Sequence, residues 1–253
     1  MERQSTVSKA LHVLRAVARH PEGVGVSELA REVDAPASTV HRLLQDLVAT
    51  DFVQQDQGRR TYGLGLTVYE LAQQVSEQRG FTTVARPLLQ ALTDATGFHT
   101  LLATRHDAEL VYLERVHAPG VLQVRGLAGQ RSALHATAMG KVMLAALDDD
   151  ELSKVLELMR LEPFTAHTIT ERDELLAELA AVRARGWAVS EQEHEEGIVS
   201  LAVPVHNGHE VIASLCAATP LVAGHTPDLM GVLDEVRETA REVGLRLPRW
   251  SAP

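Results

Sequence analysis

Apolar residues recur at helical spacing through the first fifty positions. Val7, Ala10, Leu11, Leu14 and Val17 form one stripe over residues 6–19, predicting a helix capped by Ser5 or Thr6. The segment HPEGVG (20–25) predicts a loop. VSELAREV (26–33) predicts a second helix, with Ser27 as its N-cap and Leu29, Ala30 and Val33 facing inward. DAPA (34–37) predicts a turn, because the ring of Pro36 bars Ala35 from helical backbone. ASTVHRLLQDL (37–47) then opens a third helix that runs to about residue 50. It places Val40, Leu43, Leu44 and Leu47 on one face and Ser38, His41, Arg42 and Gln45 on the opposite face. FVQQ and RRTYGLG flank the polar tip DQG (56–58) and predict a β-hairpin. Helix, helix, turn, helix, hairpin is the element order of a winged helix-turn-helix.

Beyond the hairpin, LTVYELAQQVSEQR (66–79) predicts a polar-faced linker helix. FTTVARPLLQALTDATG (81–97) predicts an amphipathic helix, with Pro87 at a bend or a start and Gly97 at its end. HTLLATRH and ELVYLERVH alternate about the turn DAE and predict an antiparallel hairpin, and VLQVRGLAG predicts a third strand. HATAMGKVMLAAL (135–147) predicts a helix of small residues, and DDDELSKVLELM a short helix with acids against its N-terminal dipole. ERDELLAELAAVRARG (171–186) predicts a helix ended by Gly186. IVSLAVPVHN and EVIASLCAA predict two apolar strands about Gly208, and residues 227–247 a closing helix. The expected fold class is α+β. It comprises a winged helix-turn-helix over 1–65, a linker helix over 66–80, and an antiparallel sheet with flanking helices over 81–250.

Composition bears on partners and compartment. The 253 residues are 45% hydrophobic, which suits one or two globular domains. One cysteine excludes an intrachain disulfide and fits a reducing interior. The start MERQSTVSKALHVL lacks the basic opening and apolar run of a signal peptide, and no stretch approaches the ~18 apolar residues of a membrane span. The expectation is a cytoplasmic protein with no membrane partner. The net charge of -10 argues against a nucleic-acid partner, but it is unevenly placed. Residues 1–79 hold nine Lys/Arg against ten Asp/Glu, while the remainder holds 15 against 24. The near-neutral first part can present a local basic face, and charge close to the phosphates is what governs DNA affinity.

The polar face of the third helix has the chemistry for a groove. In a helix-turn-helix the second helix brings its N-terminal residues to base edges. Here those residues are Ser38, Thr39, His41 and Arg42. Arg42 can take guanine O6 and N7 together, worth about 1–3 kcal/mol of discrimination. The helix amides near Ala37–Thr39 favour a phosphate. Gln45 reaches the rim, and Arg59 and Arg60 beside the hairpin tip can reach the DNA backbone or minor groove. The competing reading is a small helical domain with a solvated face. The turn at Pro36, the short helix before it and the arginine-bearing hairpin together favour DNA.

Several segments in one order resemble the IclR family of bacterial transcription regulators. SELAREVDAPASTVHRLLQDL with YGLG resembles its winged helix, and ARPLLQALTDATG the opening of its effector domain. HATAMGKVMLA, TITERDELLAELAAVRARGWAVSEQEHEEGIVSLAVPV and the closing helix match in order and spacing. The resemblance implies a homo-oligomer, dimer or tetramer, on a palindromic double-stranded operator. It also implies a GAF-like effector domain holding a small metabolite, with no cofactor and no catalysis.

The family's pattern places pocket residues at Val121, Val124, Ser132, Ala138, Met139, Ser190, Ile198, Ser200, Ala217 and Thr219. Of these, Val121, Val124, Ile198 and Ala217 supply apolar walls, and Ser190, Ser200 and Thr219 hydroxyls. The helical start at Ala138–Gly140 offers backbone amides to a carboxylate. Two departures stand out. Many relatives carry an acid at Ser190 and a cysteine at Ser200, and many read T-G-E where this chain has Thr96, Gly97 and Phe98. A less polar pocket, with Phe98 in or beside it, suggests a larger or aromatic acid. EQEHEEG (191–197) reads as a solvated turn more readily than as a metal site. Cys216 reads as a buried, inert thiol. The alternatives from other classes are an enzyme using His135 or His194 as a base, and a module whose winged helix binds protein.

Overall fold

The structure is a computed structural model and describes residues 5–120, 126–221 and 228–248. The expected wall residues Val121 and Val124 lie outside them, as does the first part of the expected strand VLQVRGLAG. The chain divides into two compact units between Ser76 and Glu77.

The first unit holds helices α1 (Thr6–Val17), α2 (Val26–Glu32) and α3 (Ala37–Ala49), strands β1 (Val53–Asp56) and β2 (Thr61–Leu64), and most of α4 (Leu66–Arg79). Val40, Leu43, Leu44 and Leu47 of α3 are buried, as the periodicity predicts. They pack with Val13, Val17, Leu29, Val53 and Tyr62 in one apolar cluster. The β1–β2 hairpin is antiparallel, and Val24 exchanges hydrogen bonds with Tyr62, tying the loop after α1 to the hairpin.

Two expectations about the first helices need correction. α1 is capped by Ser5, whose Oγ accepts from the Ser8 amide at 3.1 Å, but its core residues are Val13, Ala16 and Val17. Val7 and Leu11 stay 69% and 55% exposed. The helix carries two overlapping apolar faces, and its packing against α2, α3 and β2 buries only one. In α2 the N-cap is Gly25, and Ser27 lies inside the helix without capping it.

The second unit is built on a six-stranded antiparallel sheet in the order β5-β4-β3-β8-β7-β6. Its strands are β3 (His99–His106), β4 (Glu109–Val116), β5 (Arg131–Ala133), β6 (Ala188–Glu191), β7 (Ile198–Asn207) and β8 (Glu210–Pro220). Helices α6 (Ala138–Ala145), α7 (Asp149–Leu158) and α8 (Arg172–Arg185) share an apolar cluster with one face, including Leu101, Tyr112 and Cys216. α5 (Arg86–Thr96) and α9 (Leu233–Arg246) share a cluster with the other, including Leu102, Leu201 and Ala217. Central strands β3 and β8 are therefore buried on both faces, and β3 does not alternate as expected.

Smaller differences have local causes. The helix expected over 81–97 is a π-helical turn, Phe81–Ala85, running into α5. Pro87 sits in the first turn of α5, where no amide is needed, and Gly97 closes the helix at φ 73°, a backbone state glycine enters without strain. The closing helix begins with a 3-10 turn at Met230–Val232. Residues 126–130 form coil and turn, and the strand there is β5 instead. β6, with four residues, is too short to announce itself by alternation.

Candidate functional site

On α3 the residues Ser38, His41, Arg42 and Gln45 are exposed, and Thr39 is half-buried with its amide donating to the Pro36 carbonyl at 2.9 Å. Pro36 occupies the N-cap and supplies no side-chain acceptor. The amides of Ala37 and Ser38 therefore remain open to an external anion. The hairpin tip is held by Asp56, whose Oδ1 accepts from the amides of Gly58 at 2.8 Å and Arg59 at 3.1 Å. These two donors, Arg59's first, hold the Asp56 carboxyl below the usual range. Arg59 and Arg60 stand exposed on this tip, Arg60 with φ 54°. Among the described residues, Arg42, Arg59 and Arg60 make no ion pair, whereas Arg19 and His20 both pair with Glu32, at 2.7 and 2.9 Å.

The second unit contains a narrow inner cavity of about 50 Å³. Of the residues expected around it, Ala138, Met139, Ser190, Ile198 and Ser200 are present in its wall. Ser190 Oγ donates to the Ala136 carbonyl at 3.2 Å. Thr137 caps α6, its Oγ1 accepting from the Gly140 amide at 3.1 Å, so the first-turn amides of Ala138 and Met139 have no acceptor within the helix. Gly140 is not a ligand contact: a Cβ there would lie 2.1 Å from the Leu134 carbonyl oxygen. Glycine lets α6 press onto that backbone.

Three expected residues are elsewhere. Ala217 faces the α5 and α9 side of the sheet and Thr219 shares its parity; the cavity wall takes Cys216 and Ala218 instead. The cause is a bulge in the β7–β8 pairing between Val205 and His206. Asn207 pairs with Glu210, and without the bulge Ser200 would pair with Ala217. The extra residue in β8 sets it opposite Ala218, and adjacent positions point to opposite faces. Ser132 lies outside the cavity wall, with its Oγ 3.0 Å from His194 Nε2. Phe98 packs on the α5 and α9 side, away from the cavity.

Leu101, Tyr112, Thr137, His194, Glu195 and Cys216 complete the wall, and the sequence pattern did not single them out for it. Strand parity relative to Ser190 and Ser200, which pair directly, is the signal that finds the strand residues. Burial pushes the Cys216 thiol up to about 12, against a hydrogen bond with Ser200, as expected of an inert thiol.

The segment 191–197 is not a solvated turn. Glu193 is buried, with Oε1 2.7 Å from Lys141 Nζ, and Lys141 is also 3.4 Å from Glu178. Burial raises the Glu193 carboxyl above the usual range, opposed by the Lys141 charge. Thr165 and Thr168 donate to the carbonyls of Gln192 and Glu193 at 2.7 and 2.6 Å. The loop that carries His194 and Glu195 is thus fastened to α6, the opposite wall. Among the described residues, no three His, Cys, Asp or Glu side chains are placed to hold a metal. His135 is buried with Nε2 3.1 Å from the Glu162 carbonyl, and burial lowers its pKa, which favours the neutral ring.

A helix-turn-helix with an exposed donor-rich second helix, joined in one chain to a curled antiparallel sheet enclosing a small cavity, defines a class: DNA-binding transcription regulators with an effector-binding domain. Comparison with known proteins makes this specific. The IclR helix-turn-helix domain matches residues 6–57, and the bacterial transcriptional regulator IclR C-terminal domain matches residues 73–245. The HTH-type transcriptional regulator XynR of Escherichia coli is 30% identical over 246 residues, 96% of each chain. BhcR of Paracoccus denitrificans, also an HTH-type transcriptional regulator, is 30% identical over 248 residues, 97% of this chain and 88% of that one. The crystal structure of an IclR transcriptional regulator from Alicyclobacillus acidocaldarius superposes with a TM-score of 0.85 at 27% identity, covering 96% of this chain and 99% of that one. The chain belongs to the IclR family of bacterial transcription regulators. No helix among the described residues is long and apolar enough to cross a membrane.

Proposed function

We propose that this regulator reads its operator through Ser38, Thr39, His41 and Arg42, with Gln45 at the rim and Arg59 and Arg60 on the DNA backbone or minor groove. Its operator affinity is set by a small carboxylic acid in the inner cavity. The observation that carries this reading is the cavity's lining. It combines the hydroxyls of Thr137, Ser190, Ser200 and Tyr112 with the first turn of α6, where backbone amides can donate to an anion. An apolar cavity that holds benzene measures about 150 Å³, so a volume of about 50 Å³ suits the head of a small acid, not an aromatic ring.

The regulator acts as a homo-oligomer. Two half-sites one helical turn apart need two copies of α3. The first unit leaves Val7, Leu11, Leu66, Tyr69, Leu71 and Val75 exposed, apolar surface suited to a second copy. A mobility-shift titration with the DNA upstream of its own gene, against a scrambled duplex, tests the reading. The expected result is preferential retardation of the upstream DNA, changed by two- to four-carbon acids. Equal retardation of both duplexes contradicts operator recognition.

A further inference from the structure

The inner cavity shares a wall with a second space. His194 lines the cavity and also an outer cleft of about 660 Å³, together with Ser132, Leu134, His135, Met159 and Phe164. The Ser132–His194 hydrogen bond, 3.0 Å long, stands at that boundary. Phe164 is 44% exposed and lies between two imidazoles. Its ring centroid is 5.9 Å from that of His135 and 4.9 Å from that of His194, with interplanar angles of 40° and 35°.

This aromatic group is held in place. The amides of Phe164 and Thr165 both donate to Thr168 Oγ1 at 3.0 Å, and His135 is fixed on the Glu162 carbonyl. Flat surface of this kind, already ordered, binds a planar apolar group with little entropic loss. The inner cavity has no room for a ring, and the outer cleft has ample room beside the same histidine.

We propose that the outer cleft is a second ligand subsite. It takes the flat apolar end of an effector whose compact carboxylate end enters the inner cavity, His194 turning away from Ser132 to join the two spaces. The loop stays fastened, its Glu193 carboxylate by Lys141 and its backbone by Thr165 and Thr168, and the part that moves in this proposal is the His194 side chain. The effector class is then an acid with a planar apolar group a few bonds from its carboxylate. The proposal rests on the inner cavity being the effector site.

Calorimetric titration of the full-length protein with propanoate and 3-phenylpropanoate tests it. The expected result is clearly tighter binding of 3-phenylpropanoate. Phe164→Ala removes roughly 3- to 10-fold of that advantage and leaves propanoate unchanged. Ser190→Leu, which fills the inner cavity, abolishes binding of both, and Ser200→Leu does the same should the first variant fold poorly. If the cavity-filling variants abolish both while Phe164→Ala leaves the ratio intact, the inner cavity stands and the outer subsite is overturned. If both acids still bind the cavity-filled variants, the effector-site reading itself fails. No preference for the aryl acid in the native protein overturns the subsite outright.

Discussion

The two units orient their polar groups in opposite senses. Among the described residues up to Ser76, no polar or charged residue is buried apart from Tyr62 in the apolar core, and Ser38, Arg42, Arg59 and Arg60 point outward. From Glu77 onward the sense reverses: Thr137, Lys141, Ser190 and Glu193 all lie inside. An outward face over an apolar core meets a rigid macromolecule without the core changing. An inward face meets only what fits the cavity, and contact there acts on the walls themselves. Substitutions should sort by unit, and the following tests are ordered by expected effect.

Lys141→Met should be the most damaging. It leaves the buried Glu193 carboxyl without its cation, while Glu178 keeps Arg185 at 2.9 Å, a loss of about 3–5 kcal/mol for breaking a buried pair. Chemical denaturation should show the loss in the second unit, with specific operator contacts of any protein that remains folded unaffected. Unchanged stability would mean that the inward network is energetically idle.

Arg42→Ala should weaken specific operator binding by about 1–3 kcal/mol, while non-specific DNA binding and acid titrations hardly change. Equal loss on specific and scrambled duplexes would remove base reading from α3. Arg59→Ala and Arg60→Ala should each lower the slope of log affinity against log salt by about one, with sequence preference kept. A slope identical to that of the native protein would take the hairpin tip off the DNA.

The smallest effect concerns Cys216. With the thiol pushed up to about 12, its thiolate is negligible at pH 8, and it becomes populated only as pH rises through that value. A thiol reagent should therefore react at pH 8 only after denaturation. Prompt reaction in the folded protein would show the cavity wall opening to solvent.

The same contrast explains what the chain revealed in advance. α3 was legible because Val40, Leu43, Leu44 and Leu47 leave the 3.6-residue period one consistent answer, and whatever lies opposite is exposed. α1 was less so, since Val7 and Leu11 satisfy the period as well as Val13 and Ala16 do. Inside the second unit the strands were legible but their faces were not. Period two makes each face depend on register, and one extra residue in β8 turned Ala218, not Ala217, toward Ser200. Segment 191–197 looked solvated because its acids are near neighbours in sequence. The cation that buries Glu193 comes from Lys141, fifty-two residues earlier, which no local pattern links to it.

The central claim is that occupancy of the inner cavity changes operator affinity. Fluorescence anisotropy of a labelled operator, titrated with protein in the presence and absence of an acid shown to bind, tests it most directly. The native protein should shift its operator Kd by about 5- to 150-fold. Ser190→Leu should bind the operator as the native protein does without acid, and should show no shift. An acid that binds the native protein yet leaves its operator Kd unchanged, or shifts that of Ser190→Leu equally, would contradict the account.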